Sequence, residues 1–136
     1  MAKGGHTPLT DIYHYAEQVS TGGLVFMDTP GYDPVSITGQ VAGGCNLVLF
    51  TTGRGSVFGF KPSPTVKVAS NTALYQFMPG DMDFDAGPLL AGMPPETLAA
   101  NLLDLVLMVA SGHASKSEAQ GIGEAEFSPW DLGEAL

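Results

Sequence analysis

Two short apolar runs, each framed by small or polar residues, constrain the fold of this chain most strongly. The first, GGLVFMD, ends at Asp28, and the second, CNLVLFTT, predicts a strand over about residues 46–51. Continuous apolar runs of this length are typical of strands that are buried on both faces of a parallel sheet. A third run, TVKVAS, predicts a shorter strand over about residues 65–70, with partial alternation of apolar and polar side chains.

Helical patterns accompany these strands. The segment DPVSITGQVA opens with an aspartate and a proline, and the two glycines after it end the helix. The segment PPETLAANLLDLVLMVAS predicts a helix that is apolar nearly all round and is therefore buried on more than one side. A further helix is predicted over residues 8–19, in TPLTDIYHYAEQV. The order predicts an α/β fold: a three-layer, Rossmann-like arrangement of a mostly parallel sheet with helices on both faces and an irregular C-terminal tail.

Length and charge limit the classes of function. At 136 residues, we expect one domain over residues 1–136. The net charge of -9 disfavours nucleic acid and anionic membranes as partners, because phosphate groups need a basic surface. A single cysteine excludes an internal disulfide, and the N-terminal segment lacks the apolar run of a signal peptide. We therefore expect a cytoplasmic protein.

The candidate site follows from the direction of the strands. Ligands of open parallel sheets bind beyond the carboxyl ends of the strands, which selects the loops DTPGYD and TTGRGS. The second loop holds Arg54 between two glycines, and Lys61 follows seven residues later. A guanidinium group matches a carboxylate through two parallel hydrogen bonds, so these cations predict a small anionic ligand. The alternative is that they only neutralise nearby carboxylates such as Asp28.

Two other charged features of the sequence, Lys67 and the segment DMDFDAG, need a separate interpretation. Lys67 lies in the middle of the third strand, and we expect it on a solvated face. The segment DMDFDAG places Asp81, Asp83 and Asp85 at alternate positions, so an extended backbone points their side chains to one side. Such oxygen-rich clusters suit hard divalent cations, but an acidic solvated loop is an equal alternative. No P-loop or dinucleotide-binding motif is present, so a phosphate or nucleotide binder is an alternative that rests only on the glycine-rich loop beside the cations.

Several long blocks, in order, are similar to one known family. The blocks KGGHTPL, GLVFMDTPGYDPVSITGQVAGG, NLVLFTTGRGSVFGFKPSPTVKVASNT, DMDFDAG and EFSPWDLG resemble the C-terminal part of the altronate/galactarate dehydratases, a group of sugar-acid hydro-lyases that includes sulfolactate sulfo-lyase. The resemblance runs from about Lys3 to the end of the chain. It implies that this chain is the C-terminal part of the catalytic region of a longer enzyme.

The resemblance also implies an activity and its participants. Family members remove water from an aldonate or aldarate, such as altronate or galactarate, and give a 2-keto-3-deoxy acid with ferrous iron or a similar divalent metal. The expected partners are an anionic sugar acid, the N-terminal domains of the same enzyme and further copies of the chain in a homo-oligomer. The fragment alone is expected to be inactive. The candidate residues are Asp28, Arg54 and Lys61 for catalysis, Thr29, Thr51, Thr52, Ser56 and Asn71 for substrate binding, and Asp81 and Asp83 for metal.

One position departs from the expected family pattern. We expect a cysteine between the glycine and the lysine of GFKP, and this chain has Phe60 there. The resemblance therefore identifies the family and leaves the substrate and the metal dependence open. Two alternatives remain: a structural or assembly domain without catalytic residues of its own, and a domain of a related sulfo-lyase.

Overall fold

The computed structural model describes residues 5–131, which fall into two compact units. The terminal unit comprises residues 5–45 and 127–131, and the central unit comprises residues 46–126. The single domain expected over residues 1–136 stays a prediction. Within residues 5–131, no helix combines the length and the apolar character needed to cross a membrane.

The terminal unit contains a two-stranded parallel sheet where the sequence predicted a helix. Strand β1 (Leu9–Tyr13) pairs with strand β2 (Leu24–Met27), and Ile12 lies opposite Phe26. The prediction of a helix over residues 8–19 is wrong. The β-branched and aromatic residues of this segment suit a strand, and the backbone turns at Ala16, which has a φ of 60°. Pairing with β2 therefore overrides a weak helical pattern.

Helix α1 (Asp33–Ala42) confirms the second predicted element. The proline that follows Asp33 lies in the first turn, and the helix ends at Gly43. Its buried residues include Val35 and Ile37, and the hydroxyl of Tyr15 donates a 2.8 Å hydrogen bond to the Val35 carbonyl. The buried side chains and this bond hold α1 within the terminal unit.

The central unit is built on a three-stranded parallel sheet. Strand β3 (Val48–Thr52), strand β4 (Thr65–Ala69) and strand β5 (Phe84–Asp85) lie in the order β3-β4-β5. All five residues of β4 are buried, because it is the middle strand and is covered on both faces. The register aligns Thr52 with Ala69 and Ala69 with Asp85, so the three strands end at one edge.

Helices cover both faces of this sheet. Helix α3 (Pro95–Ala110) lies on one face, where its Val109 packs against Val66 and Val68 of β4. Helix α2 (Thr72–Phe77) lies on the other face, where its Leu74 packs with Ala69. The remaining elements are a 3-10 helix (Gly87–Ala91) and helix α4 (Lys116–Ala119). The predicted α/β fold, with three layers and a parallel sheet, is confirmed, and residues 120–131 form no regular element.

Helix α3 is less buried than its composition predicts. Val109 is its one buried residue, whereas Leu103, Leu107 and Met108 are each exposed by 51–56%. The prediction that this helix is buried on more than one side is wrong for the described part of the chain. One face packs against the sheet, and an apolar face remains open.

Candidate functional site

The carboxyl edge of the central sheet brings together several of the polar residues singled out in the sequence. Thr52, Ala69 and Asp85 end the three strands in register, and the chain after Thr52 and Ala69 carries Arg54 and Asn71. The Ser70 amide donates a 3.0 Å hydrogen bond to the Thr52 carbonyl, which ties the first two loops together. This edge is the position at which parallel sheets bind ligands.

The loop that carries Arg54 is held by its own backbone geometry. The Thr52 hydroxyl accepts hydrogen bonds from the amides of Arg54 (3.3 Å) and Gly55 (3.0 Å). Gly55 has a φ of 96°, a conformation that favours glycine, and a side chain there would meet Met78. The backbone is thus fixed while the Arg54 side chain is exposed, so its five donors are available to a ligand.

Asn71 has a structural role at this edge. Its side-chain carbonyl accepts a 2.9 Å hydrogen bond from the Leu74 amide and caps α2. Its amide nitrogen donates a 3.5 Å hydrogen bond to the Ser70 hydroxyl, at the limit of hydrogen-bonding distance. The carboxylate of Asp85 accepts from the Gly87 amide at 2.8 Å and shapes the third loop. Among these groups, the Asn71 amide is the best placed to donate to a substrate oxygen.

Lys61 lies at the opposite edge of the sheet. It precedes the first residue of β4 by four positions, and its amide donates to the Gly123 carbonyl. Its ammonium group forms an exposed ion pair with Glu124, and this hydrogen bond lowers the pKa of Glu124 below its usual range. The structure therefore does not bring Lys61 to the edge that carries Arg54, and its charge already has a partner.

A groove of about 400 Å³ opens at the same amino edge. Leu47 and Pro64, which precede β3 and β4, line it together with His113 and Glu118. The Glu118 carboxylate accepts from the Ser115 amide at 2.9 Å in the capping box of α4. Because the groove lies away from the carboxyl ends of the strands and its carboxylate serves as a helix cap, we assign the candidate site to the Arg54 edge instead.

Lys67 is where the sequence interpretation fails most clearly. It is fully buried, with 0% of its surface exposed, so the prediction of a solvated face residue is wrong. Its ammonium nitrogen has no hydrogen-bond partner within residues 5–131. Burial lowers the pKa of Lys67, and the carboxylates of Asp81, Asp83 and Glu126 oppose that shift. The signal available in the sequence was a lysine flanked by two valines, Val66 and Val68, within a predicted strand.

Metal binding by Asp81 and Asp83 of DMDFDAG stays a prediction, and the contacts of Asp83 bear on it. Both oxygens of Asp83 accept backbone hydrogen bonds, one from the Lys67 amide (2.7 Å) and one from the Lys116 amide (2.8 Å). No group of three residues with metal-binding side chains occurs between residues 5 and 131. The donor set therefore does not fit a metal held by Asp81 and Asp83 alone, and Asp83 acts as a link between β4 and α4.

The terminal unit carries the other predicted residues. Asp28 directly follows β2 and is exposed, with its amide bonded to the Tyr13 carbonyl at 2.9 Å. The hydroxyl of Thr29 shares a 2.7 Å hydrogen bond with Ser36 in the first turn of α1, and Gln40 donates to the same Ser36 oxygen at 3.0 Å. Thr29 thus bonds to polar side chains of α1, and Asp28 is exposed.

Two further positions of the central unit have local roles. The Ser56 hydroxyl accepts a 3.0 Å hydrogen bond from the Phe58 amide, which orders the loop after Arg54. Phe60, at the position where the resemblance led us to expect a cysteine, is 3% exposed. Its ring stacks on that of Phe58 at 6.4 Å between centroids, and Phe58 stacks on Phe50 at 5.6 Å. Phe60 therefore fills a packing position in an aromatic cluster.

The fold and the edge site define a parallel α/β sheet protein with a cationic loop at the carboxyl ends of its strands. The family model described as "D-galactarate/Altronate dehydratase, C-terminal" matches residues 1–135. The chain therefore belongs to the family of D-galactarate/altronate dehydratase C-terminal regions, as the sequence blocks predicted.

Individual relatives agree with this assignment. The chain is 41% identical over 117 residues to an altronate dehydratase of Bacillus subtilis, which covers 85% of this chain and 23% of that protein. It is 34% identical over 113 residues to a galactarate dehydratase (L-threo-forming) of Escherichia coli, a match that covers 82% of this chain and 22% of that protein. It is 30% identical over 113 residues to a (2R)-sulfolactate sulfo-lyase subunit beta of Chromohalobacter salexigens, a match that covers 82% of this chain and 28% of that protein. The chain thus spans less than a third of the length of each of these relatives.

Proposed function

We propose that a protein carrying this chain is a hydro-lyase that removes water from a sugar acid, such as altronate or galactarate, and gives a 2-keto-3-deoxy acid. In this proposal, the chain supplies part of the substrate-binding surface. The observation that carries the proposal is the exposed Arg54 side chain on a rigid, glycine-flanked loop at the carboxyl edge of the central sheet. Membership in the dehydratase family supports the choice of reaction.

The chemistry of dehydration needs a cation of this kind. Removing the proton next to a carboxylate places negative charge on that carboxylate, and a fixed donor stabilises it as it forms. Arg54 suits this role because a guanidinium group binds both carboxylate oxygens at once. Thr51, which is exposed, and the Asn71 amide, which lies after the adjacent strand, are proposed to bind substrate hydroxyls. Lys61, paired with Glu124, is the weaker candidate.

The remaining participants are proposed from the family resemblance. Ferrous iron or a similar divalent metal would stabilise the developing charge, but Asp81 and Asp83 do not fit as its ligand set. The metal ligands are therefore proposed to lie in other parts of the longer enzyme. The exposed Asp28 carboxylate stays our candidate for the proton acceptor. A cytoplasmic location and a homo-oligomer stay predictions.

The test uses the complete enzyme. We would supply ferrous iron and altronate, galactarate and sulfolactate in turn, and measure keto acid and sulfite. Keto acid from altronate or galactarate is the expected result, and sulfite from sulfolactate would instead favour the sulfo-lyase alternative. If none of the three acids gave a product at saturating metal, the proposal would be wrong.

A matched pair of variants tests the role of Arg54. Arg54→Ala removes the guanidinium group, and we expect kcat/KM to fall at least about 100-fold, the effect of losing one strong charged contact in a transition state. Arg54→Lys retains the charge without the planar fork and should recover only part of that loss. Because the side chain is exposed, both variants should fold as the wild type does. Unchanged kinetics in Arg54→Ala would remove Arg54 from the site.

A specific observation favours a second candidate function, assembly with the rest of the longer polypeptide. Leu103 and Leu107 lie one turn apart on α3 and are each 56% exposed, although both are apolar. In this candidate, the preceding region of the same enzyme covers that face. Leu107→Glu in the complete enzyme should then reduce assembly or solubility, and Arg54→Ala should leave turnover intact. The two candidates thus differ in which variant abolishes activity.

A further inference from the structure

One face of the two-stranded sheet in the terminal unit is apolar and open to solvent. Residues that are paired in register project to the same side of a parallel sheet, and along each strand the sides alternate. Leu24 and Phe26 of β2 therefore share a face, and their partners in β1 are Leu9 and Ile12. The exposed fractions of these four side chains are 39% (Leu24), 56% (Phe26), 50% (Leu9) and 63% (Ile12).

An irregularity in β1 brings its two apolar residues to this face. Leu9 and Ile12 are three positions apart, so in a regular strand their side chains would project to opposite faces. The register shifts between Leu9 and Asp11, where β1 has two residues for one in β2. A bulge of this kind interrupts the alternation once. Ile12 therefore lies on the same side as Leu9, and the apolar face is larger than a regular strand would make it.

The opposite face of the same sheet is covered by the chain itself. Met27 is half-buried, and a side chain at Gly43, where α1 ends, would meet its terminal methyl group. Tyr13, the partner of Met27 in register, is 5% exposed. Parallel sheets occur almost only with both faces covered, and a sheet of two strands is marginally stable by itself. Residues 5–131 supply a cover for one face only.

The size of the open face and the length of the relatives indicate what covers it. A stable complex between separate proteins uses about 20–30 residues on each side, far more than four side chains. A segment of the same polypeptide is kept nearby by the chain, so a smaller surface is sufficient to hold it. The matched regions make up 22–28% of the relatives described above, and the family model is that of a C-terminal region.

We propose that the face formed by Leu9, Ile12, Leu24 and Phe26 is an internal interface, on which an apolar segment from the preceding region of the same polypeptide packs. A helix is the element that most often covers a parallel sheet, and an amphipathic helix fits an apolar face of this kind. This surface belongs to the terminal unit and is different from the exposed face of α3 in the central unit. The inference goes beyond the proposed function, because it does not depend on the reaction.

Thiol labelling in the complete enzyme measures whether the face is covered. Because Cys45 is exposed, every variant also carries Cys45→Ser. Ile12→Cys and Phe26→Cys report on the face, and Ser20→Cys, at an exposed loop position of the same unit, is the control. Peptide mass spectrometry follows the reaction of each thiol with a maleimide, in the native enzyme and in urea. We expect the native rate to be at least about 10-fold lower than the rate in urea at both face positions, and within about 3-fold of it at the control.

A photo-cross-link identifies the covering segment. p-Benzoylphenylalanine in place of Phe26 keeps an aromatic side chain, and on irradiation it forms a covalent bond to a group in contact with it. We expect a product that migrates as one polypeptide and in which position 26 is joined to a peptide from the preceding region. Circular dichroism of each variant checks folding without use of a substrate, and Ile12→Cys gives the labelling result independently of position 26.

The other outcomes count against the inference. Native rates equal to those in urea at both face positions would show that the face is open in the complete enzyme. Equal protection of Ser20→Cys would show that the maleimide is excluded from the whole unit and that the apolar face is not special. A cross-linked product of doubled mass would make a second copy the occupant, and a cross-link within this chain would make the cover local. None of these results bears on keto acid formation, so the proposed function would stand or fall separately.

Discussion

Strand β2 of the terminal unit is more apolar than strand β4 of the central unit, yet its side chains are more exposed. The sequence of β2, LVFM, is wholly apolar, yet Phe26 is 56% and Leu24 39% exposed. The sequence of β4, TVKVA, includes a lysine and a threonine, yet all five residues are buried. The elements around a strand decide its burial: β4 has a strand on either side and packs against α3 and α2 on its two faces, whereas β2 pairs only with β1 within its sheet.

The largest expected effect tests this difference in burial. Met82 is fully buried and packs with Ala69 of β4, so Met82→Ala should lower the local free energy of unfolding by about 2–5 kcal/mol. Met108 on α3 is 51% exposed, and Met108→Ala should lower it by less than about 1 kcal/mol. Hydrogen exchange at the β4 amides measures both changes. Equal losses in the complete enzyme would show that Met108 is as buried there as Met82.

The second prediction concerns the buried charge on β4. Replacing Lys67 by Met should raise the free energy of unfolding by about 1 kcal/mol or more near neutral pH. The reason is that an ammonium group with no hydrogen-bond partner in the described part of the chain no longer has to be desolvated. Burial lowers the pKa of Lys67 from its ordinary value of 10.5, so the unfolded chain binds the proton more tightly than the folded one. Wild-type stability should therefore rise with pH as the amine loses its proton below pH 10.5.

The advantage of Lys67→Met over the wild type should shrink over the same pH range. Paired urea titrations at pH 7 and at several higher values measure this difference. A gap that widened with pH would contradict the sign of the pKa shift.

A third, smaller effect concerns the loop after β4. Asn71→Ala removes the cap of α2 and should lower local stability by about 1 kcal/mol, whereas Asn71→Asp retains a capping oxygen and should lose much less. Hydrogen exchange at the Leu74 amide reports the cap. Asn71→Asp also loses the amide donor, so weaker substrate binding in this variant without loss of the cap would identify the amide as a binding group. Similar exchange rates in the two variants would argue against the cap.

The smallest effect is expected at the exposed ion pair of the amino edge. Lys61 and Glu124 are both well exposed, so Lys61→Gln should shift the melting temperature by less than about 2 °C at neutral pH. The hydrogen bond from Lys61 lowers the pKa of Glu124 below its ordinary value of 4.5, so any stabilisation is present above that pH and disappears as the pH falls through the lowered value. A large shift at pH 7, or one that persists in acid, would mean that Lys61 has a partner other than Glu124.

Much of the fold followed from local patterns. The apolar runs predicted β2, β3 and β4, and the proline and glycine signals predicted α1 and α3, because these patterns report backbone preference directly. Strand β1 was missed, since its pairing with β2 depends on a segment eleven or more residues away. The location of Arg54 after β3 was predicted from strand direction alone.

The sequence predicted the position of some candidate site residues and not of others. Spacing placed Arg54 and Lys61 together, but the chain crosses the sheet between them and carries Lys61 to the amino edge. Spacing also suggested that Asp81 and Asp83 bind metal, whereas the Asp83 oxygens accept amides from β4 and α4. Both arrangements depend on contacts between distant segments, which spacing along the chain does not report.

By itself, the sequence determined the class of fold, the family and the acidic net charge of this chain, because those properties depend on composition and on patterns along a few neighbouring residues. The tertiary structure alone decided which strand lies in the middle of the central sheet and, with it, that Lys67 is enclosed while Lys61 meets solvent. Burial and hydrogen bonding depend on what surrounds a side chain. Lys61 and Lys67 are six positions apart, yet one forms an exposed ion pair and the other is a buried amine with no hydrogen-bond partner among residues 5–131.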